Sequence, residues 1–126
     1  RENLAACYTL AIAAARAYDL LVFDGVYNDI ANAEGFVAES KQAKAFGFDG
    51  KTLIHPTQVE PCNTIFAPPA EAVQQSRDVI AAFADPANAG KGVLKVNGKM
   101  TELLHLAQAR RMVAVAEAIA QREAVQ

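Results

Sequence analysis

The sequence predicts an α/β chain built on a parallel sheet, and three observations carry that prediction. Hydrophobic periodicity alternates in the order helix, strand, helix, strand, helix along the first two thirds of the chain. The two strand-like runs, "DLLVFDG" and "KTLIHP", are short and continuously apolar, the pattern of strands covered on both faces. Each ends on residues that stop a ladder, Asp24-Gly25 in the first and His55-Pro56 in the second.

From Glu2 to about Ala17 apolar residues recur at Leu4, Cys7 or Tyr8, Ala11 and Ala14 or Ala15, which predicts a helix packed on one side. The strand Asp19 to Gly25 follows, then the loop "VYNDIANAEG", in which Asn32 is placed to cap a helix and Glu34 to sit in its first turn. That helix runs from Ala33 to Phe46. Gly47 is expected to end it in a left-handed conformation, with Phe48 folding back as the apolar contact of the cap. "KTLIHP" is the second strand, closed by Pro56, which lacks an N–H and biases His55 towards extended geometry. Thr57 and Glu60 have capping-box spacing, so a helix is expected from there to about Phe66, with Pro61 either within its first turn or marking a restart of the helix. A Pro-rich break precedes a helix from about Ala70 to Ala84 and a loose connector. "VLKVNGKMT" carries Asn97-Gly98 between two apolar runs, a hairpin signal. The last segment, Glu102 to about Arg122, places Leu103, Leu106, Ala109 or Arg110, Val113, Ala116 and Ala120 at helical spacing.

Two strands cannot bury both faces of a sheet, so the topology reads as the closing part of a larger α/β fold. The start at Arg1, directly into an alanine-rich helix, leads us to expect a missing upstream segment. Residues 1–69 are expected to form the sheet-bearing part and residues 70–126 a helical extension with the hairpin.

Composition narrows the function. With 126 residues, 52% of them hydrophobic, the chain can bury the core of one ordinary domain. No apolar run reaches the roughly 20 residues of a membrane span, and the opening lacks a signal-peptide layout, so a cytoplasmic location is expected. The 12 basic and 14 acidic residues are scattered singly, without the basic face that tracks a phosphate backbone, which argues against nucleic-acid binding. Cys7 and Cys62 have no second thiol or histidine at metal-ligand spacing and are read as small core residues.

In parallel α/β folds ligands meet the carboxyl ends of the strands, which here are Asp24-Gly25 and His55-Pro56. Asp24 either accepts a substrate hydroxyl or holds a neighbouring loop. His55 is either a general base or a hydrogen-bonded loop anchor, and no carboxylate is tied to it in the sequence. Gly25 and Gly35 flank the first loop and would let backbone approach a ligand. Glu102, where the hairpin hands over to the last helix, is either a reactive carboxylate or a first-turn acid complementing the helix dipole. No dinucleotide or Walker fingerprint is present.

The stretch "FDGVYNDIANAEGF…AKAFGFDGKTLIHPTQVEPCNTIFAPP", Phe23 to Pro69, resembles the end of the barrel in the citrate lyase β-subunit-like family, which includes malyl-CoA and citramalyl-CoA lyases within the HpcH/HpaI aldolase superfamily. Lys91 to Ile119, with "VNGKMTELLHLAQARRMVAVAEAI", is similar to that family's carboxyl-terminal segment. The resemblance implies the closing portion of a TIM (β/α)8 barrel, its last two strands and helices, followed by an extension that caps the active site of a neighbouring subunit. It implies a homo-oligomer, trimer or hexamer, that cleaves a 3-hydroxyacyl-CoA thioester to acetyl-CoA and a 2-oxo acid. It also implies a Mg2+ ion held by carboxylates on earlier strands, none of them in this chain. The family's carboxylate after the hairpin, usually an aspartate, falls on Glu102, one methylene longer and so displaced in reach by about 1.5 Å. Asn32 stands where several relatives have an acid. Asp24, Gly25, His55 and Pro56 match and are implied to shape the thioester end of the site. The rival reading is a non-catalytic interaction or regulatory module derived from such a barrel.

Overall fold

The periodic opening forms a 3₁₀ turn, Glu2–Leu4, that runs into helix α1, Ala5–Ala17, in the computed structural model, which describes residues 1–125. Strand β1 is Phe23–Asp24, helix α2 is Ala33–Phe46, strand β2 is Gly50–Lys51, and a 3₁₀ turn at Pro56–Gln58 leads into helix α3, Val59–Phe66. These elements make one compact unit, Arg1–Ala67, and a second begins at Pro68.

In the first unit β1 and β2 pair in parallel, Phe23 opposite Gly50 and Asp24 opposite Lys51, with α2 as the crossover. The core under this pair is Ile12 of α1, Ala43 of α2 and Phe48, with Tyr8, Val22, Phe46 and Phe66 packed against it. Tyr8 meets Phe46 and Phe48 edge to face at 5.5 and 5.8 Å between centroids, so one ring of α1 holds both sides of the α2 terminus.

That terminus forms as its sequence predicts. Asn32 accepts the Gly35 N–H at 2.8 Å to open α2. Gly47 closes it at φ 105°, while the Phe48 N–H donates to Ala43 O and the Gly47 N–H to Lys44 O, the paired bonds of a Schellman cap. A Cβ at Gly47 would also meet the Ile12 methyl at 3.4 Å. Gly47→Ala is therefore expected to destabilise the protein by about 1–2 kcal/mol, the cost of placing an L-residue in the left-handed region, read as a lowered urea midpoint.

Four expectations about the first unit are corrected. The first strand does not span Asp19 to Gly25. Asp19 takes a positive φ of 53° and the Leu20 N–H bonds to Ala15 O, so residues 18–20 belong to the turn that ends α1. Leu20, Leu21 and Phe23 are more than half exposed because the two-strand sheet lacks the neighbours that would cover them. The second strand begins at Gly50 and stops at Lys51, ahead of the "TLI" run: the Thr52 N–H makes the last bond to β1, at Asp24 O, and the Ile54 N–H turns to the Gln58 side chain. The Thr57–Glu60 capping box does not form, because the His55 ring takes the Thr57 N–H and starts a 3₁₀ turn instead. Cys7 lies on the exposed side of α1, whereas Cys62 is buried and desolvation raises its thiol pKa.

The second unit consists of α4, Ala70–Ala84, a 3₁₀ turn at Pro86–Asn88, strands β3, Val93–Val96, and β4, Lys99–Glu102, and α5, Leu103–Ala124. The hairpin turns through Asn97 at φ 47° and Gly98 at φ 80°, the two positive angles that Asn-Gly accommodates. Leu94, Val96 and Thr101 of the hairpin are buried, as are Leu106, Ala109 and Val113 on one stripe of α5. Leu103, which the periodicity puts on that stripe, is 57% exposed, because it lies in the first turn of the helix directly after the hairpin.

Candidate functional site

Parallel register decides what Asp24 does with its carboxylate. Pairing Asp24 with Lys51 puts both side chains on the same face of the sheet, opposite Phe23, and towards α2. There the Lys51 ammonium, its side chain fully buried, lies 2.7 Å from Asp24 Oδ2 and 2.7 Å from Glu39 Oε1 of α2. Arg1 closes the network with a fork: Nη1 and Nη2 donate to the two Asp24 oxygens at 2.9 and 2.8 Å, and Nη1 is 2.6 Å from Glu39. The guanidinium also stands 5.1 Å from the Tyr8 ring centroid. Burial alone would raise the Asp24 pKa, but the hydrogen bonds from Arg1 and Lys51 and their charges outweigh it and hold the carboxyl below its ordinary range. Asp24 thus fixes the end of β1 against the helical layer and leaves its neighbour Gly25 exposed at the strand end.

The loop after β1 meets the turn after β2 through one side chain. Gln58, 3% exposed, donates from Nε2 to Tyr27 O at 3.0 Å and accepts the Ile54 N–H on Oε1 at 3.1 Å. Tyr27 itself packs edge to face on Phe36, and a Cβ at Gly35 would overlap the Tyr27 hydroxyl, so that glycine makes room for the ring. His55, beside these contacts, is in extended geometry and its Nδ1 is 2.8 Å from Thr57 Oγ1 and accepts the Thr57 N–H at 3.3 Å. With Nδ1 accepting, the Nε2 edge is the one left for a proton or ligand. Pro56 is exposed next to it.

Sequence reading missed Arg1, Glu39, Lys51 and Gln58. A lysine adjoining an apolar run with an aspartate at the matching place in the first strand was a legible signal for the ion network. Gln58 carried none, since its role depends on where Tyr27 falls in space.

Glu102 belongs to the second unit, at the junction of β4 and α5. It is exposed, and its backbone N–H donates to His105 Nδ1 at 2.9 Å, so the residue is held as the cap of α5 with its carboxylate at the surface.

Among the described residues no group of three His, Cys, Asp or Glu side chains is arranged to hold a metal ion, and Asp24 and Glu39, the neighbouring carboxylates, are both engaged by cations. These residues do not fit a magnesium site. No described helix is long and apolar enough to cross a membrane.

Residues 2–56 match the sequence profile of the HpcH/HpaI aldolase/citrate lyase family. Over 111 residues the chain is 47% identical to a (3S)-malyl-CoA thioesterase of Cereibacter sphaeroides, covering 88% of this chain and 39% of that protein. It is 43% identical over 89 residues to the citrate lyase subunit beta of Haemophilus influenzae, covering 71% of this chain and 31% of that one. The crystal structure of CitE from Mycobacterium tuberculosis, in complex with magnesium, acetoacetate and coenzyme A, superposes with a TM-score of 0.67 at 30% identity, covering 87% of this chain and 40% of that one. The chain thus spans less than half the length of the relatives it matches.

Proposed function

Because the chain belongs to the HpcH/HpaI aldolase/citrate lyase family, we propose that it is the carboxyl-terminal part of a (β/α)8-barrel enzyme cleaving a carbon–carbon bond in a 3-hydroxyacyl-CoA thioester of malyl, citramalyl or citryl type. The observation that supports this reading best is the extent of the match: a similarity of 111 residues is long enough to take in both strand ends and the segment beyond them, in a protein named for malyl-CoA chemistry. In the cleavage the 3-hydroxyl loses its proton to a base, the C2–C3 bond breaks, C3 becomes the carbonyl of the 2-oxo acid, and the thioester enolate takes a proton to give acetyl-CoA.

In this reading Glu102 is the carboxylate that moves a proton, offered from the capping extension across a subunit interface of a homo-oligomer. The strand end at Asp24-Gly25 and the turn at His55-Pro56 form the wall against the thioester, with Asp24 acting through the backbone it anchors. A magnesium ion would take its ligands from outside this stretch and would supply Lewis-acid polarisation of the substrate oxygen. The expected location is cytoplasmic.

A second reading, thioester hydrolysis, is favoured by the name of the 47% identical relative. One assay separates the two. The full-length protein with magnesium is incubated with malyl-CoA and citramalyl-CoA, and glyoxylate or pyruvate appearing with acetyl-CoA is the expected result. Malate or citramalate appearing with free coenzyme A would assign hydrolysis instead. No turnover of either substrate would overturn both and leave the non-catalytic module.

A further inference from the structure

Gln58 takes no part in the chemistry of the proposed reaction, yet it is the side chain that joins the two strand-end loops. Its amide is used at both ends, as donor to Tyr27 O and as acceptor from the Ile54 N–H, in a position almost closed to solvent. The partners are 31 and 4 residues away in sequence, so the bond pair spans from the loop that follows Gly25 to the residue that precedes His55. Neither loop has a strand ladder at that point, because β1 ends at Asp24 and β2 at Lys51. Beyond the Thr52 N–H bond to Asp24 O, the side-chain hydrogen bond that ties the two loops together comes from this amide.

We propose that Gln58 is a positioning residue, whose amide clamps the loop after β1 to the turn after β2 and so fixes the gap between Gly25 and His55-Pro56 in which the coenzyme A thioester is bound. The inference rests on the functional reading above. A carboxamide suits the task because it offers a donor and an acceptor 2 bonds apart in one plane; a glutamate keeps the acceptor and loses the donor until it is protonated.

The test uses the full-length protein, its Gln58→Glu and Gln58→Met variants, and coenzyme A itself as the probe. Calorimetric affinity for coenzyme A is expected to fall roughly tenfold in Gln58→Met, as one clamped contact is lost, with amide exchange at Ile54 and in the Tyr27 loop accelerated. In Gln58→Glu the loss is expected at neutral pH and affinity relative to wild type returns as the pH is lowered and the introduced carboxyl regains a proton to donate to Tyr27 O, a change over and above the wild type's own pH profile. Accelerated exchange with unchanged coenzyme A affinity would overturn positioning and leave a structural bond; unchanged exchange would overturn the clamp. A wild-type protein that binds no coenzyme A would sink the functional reading separately, and the exchange comparison would still decide whether the clamp exists.

Discussion

Lys51→Met is expected to destabilise the full-length protein by about 3–5 kcal/mol, the cost of removing one partner from a buried ionic cluster. The size follows from what is left behind. Lys51 is the cation shared between Asp24 and Glu39, and without it two carboxylates face each other with only the Arg1 fork between them. A methionine fills the volume of the lysine stem, so the loss measured by urea unfolding reports the charge and not a cavity. Adding Glu39→Met to Lys51→Met removes the surplus anion and is expected to recover much of the loss, because it is the unpaired charge that is expensive.

The same cluster predicts the sign of a pH effect. The Asp24 carboxyl is held below its ordinary value in the folded protein. Its pairing therefore contributes stability that is fully present above the unfolded carboxylate range and is lost as the pH falls through the depressed folded value. In Lys51→Met that depression shrinks, so the gap between wild type and variant should narrow on acidification below about pH 4. A gap that stays constant from pH 7 to pH 3 would show that Lys51 contributes packing rather than charge.

How far the sequence announces this arrangement depends on the range of the interaction involved. The caps of α2 were readable because Asn32, Gly47 and Phe48 act on backbone within a few residues of themselves. The Asn97-Gly98 turn was readable for the same reason: two positive φ angles are a local demand. Strand limits were not. Apolar runs such as "DLLVF" and "TLI" advertise burial, but a ladder ends where its partner ends, and that is decided by the register of Asp24 against Lys51. The His55 cap was hidden by a competitor, since Thr57 and Glu60 had the right spacing for a box that the extended His55 pre-empts with its ring.

The site shows the same divide. An α/β pattern points to the strand ends Asp24-Gly25 and His55-Pro56 as candidate positions, because ligand binding at carboxyl ends is a property of the topology. What each side chain does there was open. The carboxylate of Asp24 could have faced a ligand, and only the parallel register turns it towards Arg1, Glu39 and Lys51. Sequence distance explains why: Arg1 and Asp24 are 23 residues apart, Gln58 and Tyr27 are 31 apart, and neither pair follows a local rule.

The largest functional effect is expected at Glu102. In the full-length protein, Glu102→Gln should lower kcat by roughly 10²–10⁴-fold, the range for removal of a positioned acid or base. In the proposed role the proton is moved only in the transition state, so substrate KM and magnesium affinity should change little. The structural alternative predicts something different. Glu102 caps α5 at the surface, with its backbone N–H donating to His105 Nδ1, and glutamine preserves both the backbone contact and the side-chain volume. A cap role alone would therefore leave stability within about 0.5 kcal/mol of wild type and turnover unchanged. Glu102→Asp gives the graded case: the acid is retained while its reach shortens by about 1.5 Å, so activity should fall part of the way and keep its pH dependence. Wild-type turnover in Glu102→Gln would take Glu102 out of the mechanism and leave it as the cap of the last helix.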